Sequence, residues 1–547
     1  MEEKNKKNSF ILQAGILAAA GILCRIIGIL YRSPLTNIIG DEGNGYYSSA
    51  YNIYAIILLV SSYSIPSAIS KVISQRLALK EYRNAHRIFH CALIYVVIVG
   101  GIASLFTFFG AGFLVEEHSI PVLQIFAPTI FISGLLGVFR GYFQSHRTMV
   151  QTSISQILEQ IANAVISIFA AYLLMASVNQ SDATDQAIHG AMGSAMGTGF
   201  GVLIALIFMV SVYALNRKIV MRRVQSDHGN RILPYGKIFK IIIFMVTPVI
   251  LSTFIYNFST SLNQTIYTKF AKNLSGYSSA EIATAYGIFA GKAVVISNIP
   301  IAIASAISAA MIPNISGTYA KGDIRATNRL IHRAIKTTMM IAIPSAIGLY
   351  ALAKPVVTLL FPQPESIDLA TKLLQGLCIT VVFYSLSTLT NAILQSVGKV
   401  NKPVINAAVA LVIQTVVLVI LILTTDLDLF CLVIATVVYS FLMCVFNQSS
   451  VHKVLGYRND FMKSYVMPLV ISTIMGIISF VVYQGAYYVI KSNLISLVIA
   501  IVIAIIFYLL GTVKLGVVTE KELSSMPKGS FLVKILKKVR LLSNSNI

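Results

Sequence analysis

Four charged residues stand inside long apolar stretches of the chain: Arg25, Arg32, Lys292 and Glu159. A charge at bilayer depth costs at least about 2.5 kcal/mol, so such a residue faces a cavity, a partner or the membrane interface. Arg25 and Arg32 are seven residues apart, two helical turns along one face. Arg25 and Lys292 lie too deep for their side chains to reach the interface, which places both on a polar path. Two readings stay open for each of the others. Arg32 snorkels to the outer interface or joins the path. Glu159, within Ser155-Gln-Ile-Leu-Glu-Gln160, pairs with a basic neighbour or lines the same cavity. Cations gathered on a central polar path suit an anion such as a pyrophosphate, whose oxygens a guanidinium grips bidentately.

The stretches that carry these residues read as membrane spans. Of 547 residues 56% are apolar and 11% charged, and the apolar ones fall in blocks such as 11–31, 465–490 and 494–515. Blocks of that length cross a bilayer as helices, because a helix satisfies its own backbone. Fourteen spans are expected, at 10–31, 46–70, 88–115, 119–143, 150–177, 188–215, 238–268, 281–312, 331–361, 367–396, 402–424, 428–451, 464–490 and 494–515. The basic N-terminus followed by an apolar run resembles a signal peptide, but the run continues to about residue 30, so the first segment reads as an uncleaved helix.

The net charge of +22 could point to nucleic acid, but its placement points to topology instead. With the N-terminus inside, the alternate segments 1–9, 71–87, 140–149, 216–240, 319–336, 397–402, 452–463 and 514–547 hold 34 of the 42 Lys and Arg residues. Short loops rich in Lys and Arg stay on the cytoplasmic side, so both termini read as inside. No nucleic-acid partner is expected.

The chain also repeats itself. Tyr51-Asn-Ile-Tyr-Ala55 resembles Tyr286-Gly-Ile-Phe-Ala290, and Ser64-Ile-Pro-Ser-Ala-Ile-Ser70 resembles Asn298-Ile-Pro-Ile-Ala-Ile-Ala304. Leu123-Gln124 recurs as Leu374-Gln375, and Gln144-Ser145 as Gln395-Ser396, at the same offset. The fold class is therefore an all-α polytopic membrane protein of two six-helix lobes in parallel repeat, 1–225 and 226–452, then two extra helices in 453–515 and a basic tail, 516–547. Parallel repeats about a central path are one route to alternating access. Pro66, Pro128, Pro248, Pro300, Pro313 and Pro344 interrupt spans as ordinary kinks or as hinges for lobe rocking. In the tail, Phe531, Leu532, Ile535, Val539 and Leu542 share one helical face opposite lysines, the pattern of a helix lying on an anionic leaflet.

No enzyme signature survives inspection. Gly287 to Lys292 resembles a phosphate loop but is one residue short, lacks its Ser/Thr and lies in an apolar helix. His86 and His90 are four apart without a carboxylate pattern around them, and no metal site is expected. The five cysteines form no CxxC pair and read as reduced, small apolar residues. A membrane glycosyltransferase would need a carboxylate-rich outer loop, which the short outside loops lack. An exporter of organic cations would need buried acids, whereas the buried excess here is basic.

The helix-1 stretch Cys24-Arg-Ile-Ile-Gly-Ile-Leu-Tyr-Arg32, the stretch Arg140-Gly-Tyr-Phe-Gln-Ser145 and Ser155–Gln160 together resemble the MurJ/SpoVB-like branch of the MOP exporter superfamily. The resemblance extends over nearly the whole length through the fourteen-helix layout and twin lobes. It implies a lipid II flippase rather than an enzyme, working by alternating access without ATP or any cofactor, coupled to a monovalent cation or to the membrane potential. It implies an anionic polyprenyl-pyrophosphate-linked saccharide as substrate, membrane lipids as partners, and a monomer in the bacterial cytoplasmic membrane. The alternatives within transport are a flippase for another polyprenyl-linked polysaccharide unit and a cation-coupled multidrug exporter. Arg25 and Arg32 resemble the family's helix-1 arginines, and Lys292 stands roughly where the family has a helix-8 arginine. Three features depart from the family: the helix-1 spacing, the lack of a deep arginine in helix 2, and Lys in place of Arg in helix 8.

The topology has a direct test. Cysteines placed at Ser181 and Gln363 should be labelled from outside intact cells. Labelling of a cysteine at Ser226 from outside would contradict the charge assignment.

Overall fold

The computed structural model describes the backbone of residues 2–517 except 64, 147, 179–181, 228–231, 275 and 458–459. The tail helix expected in 526–547 lies outside the described residues. Among those described, every regular element is helical. Contacts divide the chain into two compact units, Met1–Gly291 and Lys292–Ile547.

Unit 1 holds α1 (Glu2–Leu58), α2 (Ile65–Ala78), α3 (Tyr82–Phe109), the short α4 (Ala111–Leu114), α5 (Ile120–Ser145), α6 (Val150–Ala176), α7 (Ala183–Gln225), α8 (Tyr235–Leu274) and α9 (Ser279–Gly287). Unit 2 holds α10 (Val294–Ala320), α11 (Ile324–Ala351), α12 (Ala353–Leu360), α13 (Pro364–Ser396), α14 (Asn401–Thr424), α15 (Phe430–Leu455), α16 (Met467–Ile490) and α17 (Asn493–Lys514). Twelve segments are long and apolar enough to cross a membrane. They agree with the fourteen expected spans once two differences are taken in. The segment Ala19–Ser62 is 44 residues long and takes in most of the first two expected spans, and α8, the expected seventh, is not among the twelve.

A loop was expected between the first two spans, and the chain makes a break inside one helix instead. At Gly40 the backbone turns to φ 70°, ψ 179°, a conformation that a side chain excludes. The second part of α1 therefore leaves at a new angle without any intervening coil.

Glycines set how closely the helices of unit 1 approach. A Cβ at Gly193 would lie 2.3 Å from the Ala171 backbone nitrogen, one at Gly197 would lie 2.5 Å from that of Ser167, and one at Gly201 would lie 2.7 Å from the Glu159 carbonyl. Small residues at four-residue spacing allow this backbone-to-backbone packing of membrane helices. It draws α7 flush against α6, and Ser167 Oγ donates to Ser194 O at 3.1 Å across the seam. On the other side, Gly141 of α5 sits against Pro66, with its virtual Cβ 2.7 Å from the Pro66 carbonyl.

The division between units falls after Gly291, while the repeat places a boundary at 225–226. The reason lies in how α8 and α9 pack. A Cβ at Gly45 would overlap the Ala283 carbonyl at 1.9 Å, and one at Gly287 the Asp41 carbonyl at 2.0 Å. Asn52 Nδ2 donates to Gln264 Oε1 at 2.5 Å and to Tyr286 Oη at 2.9 Å. Helices that open the second half of the repeat are thus joined by backbone contact and hydrogen bonds to α1.

In unit 2, α13 lies against α10, α11 and α15, and α16 pairs with α17 and leans on α11. The Gly476 position, whose virtual Cβ is 2.7 Å from Ile347 Cγ2, marks that last contact. Both repeats carry a π-helical turn ahead of the matched prolines: Leu59–Tyr63 precedes Pro66, and Ile288–Ala293 precedes Pro300. Such widened turns inside membrane helices recur at functional positions.

Candidate functional site

The polar residues of unit 1 gather on α1, α5, α6 and α7. Arg32, on α1, is partly buried, donates a hydrogen bond to the Tyr31 hydroxyl and lies within electrostatic range of the hydroxyls of Tyr47 and Tyr51. The rings of Tyr47 and Tyr51 stack at 5.7 Å, and those of Tyr54 and Phe126 at 4.6 Å, so the guanidinium borders an aromatic wall. Asn163 Nδ2 of α6 approaches Tyr31 Oη at 3.4 Å, and Asn163 Oδ1 accepts from Ser167 at 2.9 Å. The glycine contacts between α6 and α7 hold Asn163 at that place.

Glu159 resolves to the pairing alternative. Arg140 Nη2 of α5 lies 2.6 Å from Glu159 Oε2, and Arg140 Nε donates to Ser155 Oγ at 2.9 Å. Their side chains remain 15% and 30% exposed, so the pair borders open space rather than packed core. Cys24 of α1 lies within electrostatic range of both members, and Tyr51 and Tyr54 within range of Glu159. Arg140 was counted among the inside-loop charges, and its role in the bundle was missed. An acid in the middle of α6 with no basic residue on its own helix was the signal, because its partner then has to come from a neighbouring helix.

Arg25 lies on α1 ahead of the break at Gly40. Its side chain is exposed, as are Leu23, Ile26 and Leu30 around it. The guanidinium therefore faces open space rather than packed core.

Lys292 differs from its expectation of facing a polar path. It is fully buried. Its ammonium donates to Gln363 Oε1 and, at 2.5 Å, to Ser366 Oγ, and lies 6.0 Å from the Phe361 ring. Lys292 belongs to the π-turn Ile288–Ala293, and its partners flank the start of α13, so it ties that turn to the α12–α13 connection. Neutral oxygens supply the partner that a buried charge requires. The stretch that faintly resembled a phosphate loop is this π-turn.

Unit 2 contains an apolar cavity of about 760 Å³ between α10, α11, α16 and α17. Pro300 and Pro344 line one side, and Met475, Tyr508 and Leu509 another. Its lining is almost wholly apolar, which suits a hydrocarbon surface rather than a polar ligand.

Comparison with known proteins decides the family. Residues 12–318 match the family described as "Polysaccharide biosynthesis protein". The chain belongs to that family. Residues 260–420 also match the MatE family. The lipid II flippase MurJ of Bacillus subtilis (strain 168) is 24% identical, with 87% of this chain and 88% of that protein aligned. Stage V sporulation protein B of the same organism is 21% identical over 87% of this chain and 90% of its own length. A solved structure of lipid II flippase MurJ in an inward closed conformation superposes with a TM-score of 0.63 at 16% identity, covering 91% of this chain and 97% of that one. This member of the polysaccharide biosynthesis family is therefore a multi-pass transporter of the MOP superfamily and not an enzyme.

The two cations with opposite environments give a test. Lys292→Ala leaves a cavity and two oxygens without their donor, and should cost about 2 kcal/mol or more. Arg25→Ala changes an exposed side chain and should stay within about 0.5 kcal/mol. Melting of the two purified variants should show that order, and the reverse order would contradict the positions described here.

Proposed function

We propose that this transporter moves an anionic lipid-linked saccharide, a cell-wall precursor of the lipid II kind, from the inner to the outer leaflet by alternating access. The observation that carries the reading is the pair of guanidinium groups, Arg32 and Arg140, set among tyrosines and asparagine inside a membrane-spanning unit. Such groups offer forked donors to pyrophosphate oxygens, and the tyrosine faces suit sugar rings. Glu159 holds Arg140 in the absence of substrate, so an incoming pyrophosphate exchanges one anion for another rather than meeting a bare charge. Arg25, exposed one helical segment away, extends the cationic surface along α1. Lys292 joins this set only if its contacts with Gln363 and Ser366 open. The apolar cavity in unit 2 has the chemistry to shelter the prenyl chain. The relative named lipid II flippase supports this substrate class; a different polyprenyl-linked polysaccharide unit uses the same groups and is the second reading, favoured by the family description.

The protein acts in this proposal as a monomer in the bacterial cytoplasmic membrane with both termini inside. No cofactor is required. A membrane potential negative inside favours outward movement of an anion by about 2.3 kcal/mol per charge per 100 mV, enough to give direction to a pyrophosphate carrier. A coupled monovalent cation would add to the same end.

The test is the substrate class. In proteoliposomes, a polyprenyl-pyrophosphate-linked saccharide should change leaflets at a rate that rises at least tenfold with the protein present, and rises further when the potential favours anion exit. Transport of an organic cation dye with no movement of the lipid-linked saccharide would overturn the proposal and favour a drug exporter.

A further inference from the structure

Glu159 stands within the spanning helix α6, and among the described residues Arg140 of α5 is its one ion-pair partner and the one group that donates a hydrogen bond to its carboxylate. Arg140 has a second hold, because its Nε donates to Ser155 Oγ at 2.9 Å. The two members of the pair are therefore not equivalent: Arg140 keeps a partner when the pair opens, and Glu159 does not.

Three helices pack on α6, namely α1, α5 and α7. On α5 the titratable side chains are Arg140 and Tyr142, and the Tyr142 ring is buried against Phe89, His146 and Tyr213. On α7 the stretch from Gly190 to Val212 has no titratable side chain, and Gly201 faces Glu159, its virtual Cβ 2.7 Å from the Glu159 carbonyl. On α1 Cys24, Tyr51 and Tyr54 lie within electrostatic range of Glu159, and a thiol and two phenols bring no positive charge. Arg25, next to Cys24, has an exposed side chain, and Arg32 acts on Tyr47 and Tyr51. On α6 itself the other titratable residue is Tyr172, near the far end.

An anion that takes Arg140 thus leaves a carboxylate inside a spanning helix, stripped of its cation and beside new negative charge. Both changes favour a carboxylic acid over a carboxylate. Water reaches the pair, whose side chains are 15% and 30% exposed. With Arg140 taken as a ligand of the substrate pyrophosphate, the reading on which this rests, we propose that substrate binding draws one proton from water onto Glu159 and that this proton crosses the membrane with the substrate. The Arg140 Nη2 hydrogen bond passes from Glu159 Oε2 to a phosphate oxygen, and the proton adds to the carboxylate. When the substrate leaves, the ion pair re-forms and the proton returns to water on that side. A pyrophosphate substituted at both ends carries two negative charges, so one net negative charge still crosses and the membrane potential still acts on it.

Calorimetric titration of the full chain in lipid nanodiscs tests this, with a farnesyl pyrophosphate-linked hexose as the probe. Substituted at both ends, that pyrophosphate takes no proton of its own near neutral pH. Binding heats measured at neutral pH in two buffers of different ionisation enthalpy count the protons taken up. The wild type should take up about one proton per bound probe, and its affinity should fall by up to about tenfold for each unit rise in pH. Glu159→Gln keeps a neutral acceptor for Arg140, so it should bind without proton uptake and with an affinity independent of pH. A readout that needs no variant is the infrared difference spectrum of wild type carrying 13C-glutamate, which should gain a protonated-carboxyl band when the probe binds. Binding without proton uptake, uptake retained in Glu159→Gln, or no such band would each overturn the proposal while leaving the pyrophosphate site in place. Absence of binding would overturn both.

Discussion

A charge held inside the membrane has to be answered by the protein, and most of what is specific about this molecule follows from how it does so. Removing one partner of such a pair is far costlier than removing both, so charged groups in spans come with tightly placed neighbours. The chain uses two solutions. Arg140 and Glu159 face each other across α5 and α6 at 2.6 Å and border open space. Lys292 is fully buried and is met by the neutral oxygens of Gln363 and Ser366. The first arrangement can exchange one anion for another. The second holds a widened helical turn in place.

Placing these partners requires helices closer together than ordinary side chains allow. That is the part played by Gly193, Gly197 and Gly201 on α7, and by Gly45 and Gly287 between α1 and α9. Without a strong hydrophobic force between helices in lipid, close van der Waals packing and shared hydrogen bonds carry the association. The seam between α6 and α7 then determines where Asn163 and Glu159 stand relative to the tyrosines of α1. The break at Gly40 completes the arrangement by letting one continuous helix lie against α6 with its first part and against α9 with its second.

Much of the fold was legible in the sequence because hydropathy and loop charge both report directly on the bilayer. The spans and the all-helical class could be read from block lengths. The site was less legible. Hydropathy places Arg25 and Lys292 alike at depth, yet one is exposed and the other fully buried, since depth does not say which face meets protein. Counting Arg140 as a loop charge hid its partner, 19 residues away on the next helix. The partners of Lys292 lie 71 and 74 residues downstream, beyond any local pattern. The contact boundary after Gly291 depends on glycine approaches between α1 and α9 that no periodicity records.

The central claim is that the arginine cluster of unit 1 binds the substrate's pyrophosphate. The most direct measurement is the initial flipping rate in proteoliposomes for Arg32→Ala, Arg32→Lys and wild type, each at matched folded content. The account predicts at least a tenfold loss for Arg32→Ala and only partial recovery for Arg32→Lys, whose ammonium lacks the planar fork. Wild-type flipping by an Arg32→Ala, Arg140→Ala double variant would contradict it.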